Sequence, residues 1–164
     1  MKNQQWWPSL RLVGFRCSSV DLSNLETVYQ FLKDIPERVG MKALGPPVVY
    51  HVTKDVHPDT GITGVTVITT SHITIHTFPL GQSEEYDVPE ELQELTHTPF
   101  VAFELASCKK FLEENAITEF HRVFKPEILY KKMDHLIDSQ SEVISFRNGK
   151  GKTSALTTEE TSSI

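Results

Sequence analysis

Between Gly61 and Pro79 the chain reads GITGVTVITTSHITIHTFP, and the side chains best able to do chemistry are gathered there. Ser71 offers a hydroxyl nucleophile, His72 and His76 offer imidazoles, and threonines surround them. Four chemistries fit these types. They can be satisfied polar groups on a half-exposed strand. His72 and His76 share strand parity and can face a metal together, although a spacing of two residues suits a joint ligand pair better, and two cysteines supply no thiolate cluster with zinc spacing. A Ser/His hydrolase is disfavoured, because no G-x-S-x-G elbow is present and Ser71 follows two threonines in a strand pattern. The fourth is self-processing. The Ser71 hydroxyl attacks the preceding carbonyl, the peptide becomes an ester, and β-elimination breaks the chain to leave a pyruvoyl group. Strict alternation puts Ser71 and His76 on opposite faces, so this chemistry demands a bend or bulge near Thr70-Ser71.

The elements that must position these groups are legible in outline. Val65, Val67, Ile68, Ile73 and Ile75 alternate with Thr66, Thr69, Thr74 and Thr77, the period of a strand. Leu10 to Cys17, Val48 to Thr53, Phe100 to Leu105 and Val143 to Arg147 read as further strands. A helix bearing Leu25, Val28, Phe31, Leu32 and Ile35 on one face starts from a Ser23/Glu26 capping box and ends near Pro36. Helical segments are expected at about 109–114 and 126–137. Gly81 to Thr98 is an acidic insert without Lys or Arg, in which Pro89 opens a short helix. The expected order is βαβββαβ: an α+β two-layer sandwich, an antiparallel sheet with helices on one face. Residues 1–149 form one domain and 150–164 a disordered, Ser/Thr/Glu-rich tail.

A chain of 164 residues suits one domain with a real core. The net charge of −6 argues against nucleic-acid and anionic-membrane partners. Apolar runs fall short of a membrane span and no leader pattern opens the chain, so a soluble cytoplasmic protein is expected. Cys17 and Cys108 make no disulfide framework.

The run Ser71-His72-x-x-Ile75-His76-Thr77-Phe78-Pro79, preceded by Gly61-Ile62-Thr63-Gly64 and a β-branched strand, resembles the processing segment of the prokaryotic S-adenosylmethionine decarboxylase proenzymes. These are small pyruvoyl-dependent enzymes. The likeness extends more weakly over Ser9 to Arg147, and FVAFELASC resembles the family's next strand, which ends in a functional cysteine. The resemblance implies that Ser71 is the pyruvoyl precursor and that the chain breaks between Thr70 and Ser71. It makes His76 and Thr63 processing residues, Cys108 the proton donor after CO2 leaves, and Phe78 a substrate contact where the family commonly has tryptophan. The pyruvoyl group from Ser71 forms a Schiff base with the substrate and acts as electron sink, with no metal and no pyridoxal phosphate. The implied function is decarboxylation of S-adenosylmethionine for polyamine (spermidine) biosynthesis, by a homodimer of cleaved protomers paired αββα. Thr70 and Leu80 stand where the family usually has glutamate, and the acidic insert 81–98 is longer. Decarboxylation of arginine or ornithine on the same scaffold is therefore an alternative, as is an uncleaved paralogue serving as a binding or regulatory subunit.

Overall fold

The computed structural model describes residues 7–83, 88–135, 142–147 and 150–155. Six strands form one sheet: β1 (Pro8–Phe15), β2 (Val48–Val52), β3 (Gly61–Ile68), β4 (Ser71–Phe78), β5 (Phe100–Ala106) and β6 (Ile128–His135), in the order β2-β3-β4-β5-β1-β6. Every pairing is antiparallel. Alternation along the strands sends one set of side chains into a dry layer. Leu10 and Leu12, Ile62 and Ile68, Ile73 and Ile75, and Phe103 and Leu105 are all buried there.

Helices α1 (Ser19–Ser23), α2 (Leu25–Arg38) and α4 (Glu113–Phe124) cover that layer. Ser18 caps α1, and Asn24, not Ser23, caps α2 by accepting from the Thr27 amide. Val28, Phe31, Leu32 and Ile35 of α2 meet Ala116, Phe120 and Phe124 of α4, with Phe31 and Phe124 centroids 4.9 Å apart. Thr66 and Thr77 also point inward. Their buried hydroxyls donate to the Leu32 and Leu22 carbonyls at 2.9 and 2.8 Å, which removes the cost of burying them. Gly61 permits the tight approach of β3 to β4, since a Cβ there would sit 1.8 Å from the Thr77 carbonyl oxygen.

The α+β sandwich expected from sequence is present, with differences. The stretch 61–79 is a hairpin of two strands. The helix expected at 126–137 is strand β6, because Pro126 stops α4 and residues 128–135 add to the open edge of β1; Lys131 and Lys132 suit an edge strand. The helix expected at 109–114 lies instead at 113–124, where Ala116, Phe120 and Phe124 recur every fourth residue. Helix α3 (Glu90–Thr96), in the acidic insert, lies on the opposite sheet face, with Leu92 and Leu95 against Phe15, Phe78 and Phe100. The tail expected to be disordered begins with strand β8 (Lys150–Ala155), paired antiparallel with β7 (Glu142–Arg147). Asn148-Gly149 between them is a strong hairpin signal that the polar tail composition obscures. Residues 156–164 lie outside the described residues.

Candidate active site

The β3–β4 hairpin positions the chemistry. Ile68 pairs with Ser71, so Thr69 and Thr70 alone make the turn. Two-residue hairpin turns demand left-handed backbone, which glycine and asparagine supply without strain. Here Thr70 takes it, with φ +79°. For a β-branched residue this stores about 1–3 kcal/mol, at the residue whose carbonyl begins the Thr70–Ser71 peptide. The turn is clamped from outside. Lys42 O accepts from the Thr69 amide at 2.8 Å and from its hydroxyl at 2.9 Å, and Leu44 N donates to Val67 O at 2.9 Å. Ser71 Oγ lies 3.5 Å from His72 Nδ1, at the limit of a hydrogen bond.

Cys108 belongs to the same end of the sheet. His72 pairs with Ala106, where the β4–β5 ladder ends, and Ser107 and Cys108 follow at the end of the sheet that carries Ser71 and Thr70. Ser107 is fully buried; its Oγ accepts from the Lys109 amide at 3.1 Å and contacts Met41 Sδ at 3.8 Å, which fixes the bend that presents a part-exposed Cys108. The other cysteine is of a different kind. Cys17 is buried, donates to Gly14 O at 3.3 Å, and burial pushes its thiol up to about 12, so it is an inert core residue.

Thr63 and His76 meet at the other end. They are cross-strand partners on the sheet face opposite the helices, with Thr63 Oγ1 and His76 Nδ1 3.1 Å apart. Loss of hydration among the neighbouring strands lowers the His76 pKa from the ordinary 6.5, so at neutral pH the ring is uncharged and able to take a proton. Phe78 follows on the same face, stacked on Phe100 at 4.3 Å.

The six residues singled out from sequence thus form two groups. Thr70, Ser71 and Cys108 share one end of the sheet; Thr63, His76 and Phe78 share the other. The bend near Thr70-Ser71 exists as the hairpin turn, yet it does not bring His76 to Ser71. They are five positions apart along β4, about 16 Å at about 3.3 Å per residue. Sequence reasoning missed the Lys42 carbonyl and Ser107, because clamps made through main chain leave no residue signature. It also missed the charges beside the site. On the open face Ser9 Oγ donates to Glu104 Oε1 at 2.9 Å, Arg11 lies 3.6 Å from Glu104 and 3.4 Å from Asp134, and Lys132 lies 3.2 Å from Asp134. Among the described residues no helix is long and apolar enough to cross a membrane.

Comparison with known proteins shows the family and the fold. The family model described as S-adenosylmethionine decarboxylase matches residues 12–134. The S-adenosylmethionine decarboxylase proenzyme of Clostridium botulinum strain Langeland is 31% identical over 120 residues, covering 73% of this chain and 90% of that protein. The proenzyme of strain Loch Maree is 24% identical over 120 residues, covering 73% and 81%. The crystal structure of the adenosylmethionine decarboxylase from Aquifex aeolicus superposes with a TM-score of 0.58 at 15% identity, over 84% of this chain and 97% of that one, which speaks for a shared fold. The family match begins in β1, ends in β6, and so takes in the strained hairpin and the strand leading to Cys108; this chain belongs to the S-adenosylmethionine decarboxylase family.

Proposed function

We propose that the chain cleaves itself between Thr70 and Ser71 and then, as a pyruvoyl enzyme, decarboxylates S-adenosylmethionine to the aminopropyl donor used in polyamine synthesis. The observation that carries the cleavage is the left-handed Thr70 at the peptide to be broken, directly after Thr69, which the Lys42 carbonyl holds. Ser71 Oγ attacks the Thr70 carbonyl carbon, the C–N bond breaks, and the segments are joined through an ester. Leaving the strained turn offsets part of the cost of exchanging amide for ester. A base then takes the Ser71 α-proton, the Thr70 carboxylate departs, and water replaces the nitrogen of the resulting enamine, releasing ammonia.

The residues present fit the group so made. It lies at a turn beside the tied-down Thr69, and Cys108 follows β5 at the same end of the sheet. Once formed, the pyruvoyl carbonyl captures the substrate amine and draws off the electrons released with CO2. Cys108 returns the proton to the substrate carbon, and Ser107 holds it there. No metal and no pyridoxal phosphate takes part, and the protein works in the cytoplasm.

His76, uncharged at neutral pH, is the base that removes the Ser71 proton. Its distance from Ser71 in one chain means that it serves a second copy. Two sheets packed open face to open face, antiparallel in strand direction, bring the Thr70-Ser71 turn toward His76 of the partner subunit; Ser71 has the parity of the buried Ile73 and Ile75, so it is the turn's backbone that must reach that face. The active form is therefore a homodimer in αββα arrangement with shared sites. The intact mass of the purified protein tests the chemistry: two fragments meeting at Thr70-Ser71 support it, and a stable full-length chain contradicts it.

A further inference from the structure

We propose that the turn closing α2 ties the two halves of the site to one frame: residues 39–44 hold both the Thr69-Thr70 turn and the loop that carries Cys108, with Met41 as the positioning residue for Cys108. The inference deepens the preceding reading and rests on it for the role of Cys108 as proton donor. Each half lies at or beyond a strand end, where the ladder stops: Ser71 opens β4 and Cys108 follows β5. Their relative position therefore needs support from outside the sheet.

The frame begins as a helix stop. Gly40 takes φ +79°, its amide donates to Glu37 O at 3.1 Å, and the Met41 amide donates to Pro36 O at 2.7 Å. This pair of bonds is a Schellman turn, which satisfies carbonyls that the end of a helix leaves open. A Cβ on Gly40 would meet nothing nearer than Leu112 Cδ1 at 3.9 Å, so the backbone angle, not space, calls for glycine. The chain leaves this turn along the hairpin. Lys42 O accepts from the Thr69 amide and hydroxyl, Ala43 bridges Ile68, and Leu44 N donates to Val67 O.

The same turn also holds the Cys108 loop. Val39 O accepts from the Leu112 amide at 3.1 Å, Arg38 O accepts from Asn115 Nδ2 at 2.8 Å, and Met41 Sδ receives the Ser107 hydroxyl at 3.8 Å. Because Ser107 Oγ accepts in turn from the Lys109 amide, a rotation of that buried hydroxyl disturbs the bend around Cys108. Met41 and Phe111 both pack on the main core, which keeps this contact from drifting. Ser107 and Leu112, which bracket Cys108, are thus tied to Met41 and Val39, while Thr69 and Val67 are tied to Lys42 and Leu44. A shift of the turn at Gly40 must therefore move both halves.

Thiol labelling tests the frame without any catalysis. In a Ser71→Ala chain, which lacks the attacking hydroxyl, iodoacetamide reaches Cys108 and not the buried Cys17. Met41→Leu keeps the apolar volume but withdraws the sulfur acceptor, and should speed labelling by about 2–10-fold, as loss of one hydrogen bond allows. Adding it to Ser107→Ala should bring no further change. Unchanged labelling in Met41→Leu, or additive effects in the double variant, overturns Met41 as the positioning residue. Gly40→Ala, in the same unprocessed chain, should speed both Cys108 labelling and hydrogen exchange at the Thr69 amide; one moving without the other overturns the shared frame. Proton delivery is read separately, in the chain that keeps Ser71. There Met41→Leu should cleave at the parental rate, then lose its blocked amino terminus sooner during turnover of S-adenosylmethionine. A proton placed on carbon 71 instead of the substrate carbon lets water release an aldehyde, and the substrate nitrogen stays at position 71 as the free amine of an alanine. Altered labelling with a terminus that stays blocked removes Cys108 as the donor and leaves the frame. A chain that never cleaves removes the processing chemistry, while labelling and exchange still decide the frame.

Discussion

Thr63 Oγ1 and His76 Nδ1 lie 3.1 Å apart across β3 and β4, while Ser71, their expected target, lies at the far end of the same hairpin. Proximity in sequence is therefore misleading here. A hydroxyl–imidazole pair stands on the open face of the sheet, away from Ser71 of its own chain.

Shared sites predict complementation. Ser71→Ala and His76→Ala proteins each remain full length when made alone. When they are mixed and allowed to exchange subunits, the chain that retains Ser71 is cleaved by His76 of the partner subunit, seen as two fragments from that chain only. Continued silence of the mixture, with exchange verified, argues for a site contained in one chain.

The pH dependence of cleavage follows from the His76 environment. Its folded-state pKa is lowered below 6.5, so the active neutral form persists through neutrality and is lost as pH falls through that lower value. Cleavage rate is thus flat near pH 7 and declines on the acid side with a midpoint below the ordinary imidazole value. His76→Ala should slow cleavage about 10²–10⁴-fold, as removal of a general base does. Thr63→Val should slow it less, because it removes only the hydroxyl that orients the ring.

Strain at Thr70 can be separated from its hydroxyl. Thr70→Gly accepts φ +79° without penalty and should stabilise the precursor by about 1 kcal/mol or more. Cleavage should slow by roughly tenfold for each ~1.4 kcal/mol of strain removed. Chemical denaturation of a Ser71→Ala background gives the first quantity and a cleavage time course the second. Unchanged stability would show that the turn is unstrained.

The proposed role of Cys108 after processing is open to a direct test. Cys108→Ala should cleave at the normal rate and then release little product, or inactivate itself as the proton reaches the wrong carbon. A variant that fails to cleave assigns Cys108 to the first reaction instead.

Glu119 tests the helix layer. It is buried between α2 and α4, bonded to Arg122 and 3.5 Å from Arg38, and these guanidiniums hold its carboxyl below the usual 4.5. Its contribution to stability is present above the unfolded-state value and lost as pH falls through the folded one. Glu119→Gln should cost about 1–3 kcal/mol at neutral pH and flatten the acid limb of stability.

Much of this was legible in the chain. The buried positions of β1, β3, β4 and β5, the apolar stripe of α2 and the short helix opened by Pro89 follow from local periodicity. The hairpin was hidden because Thr69-Thr70 carries none of the glycine or asparagine that marks such turns. Strand β6 was hidden because Ile128, Leu129 and Met133 fit a helical stripe as well as alternation, and only the free edge of β1 decides between them. Thr70, Ser71 and Cys108 fall at one end of the sheet because the strand that precedes Cys108 pairs with β4. The separation of His76 from Ser71 follows from strand geometry alone, since both lie on β4 and five positions span about 16 Å.

The most direct test is the denatured intact mass of the purified chain, with and without cyanoborohydride in the presence of S-adenosylmethionine. The account predicts two fragments meeting at Thr70-Ser71, the larger blocked by a pyruvoyl group, and a substrate adduct on that fragment after reduction. A single full-length mass, unchanged on long incubation at neutral pH, would contradict it and leave the chain an uncleaved member of its family.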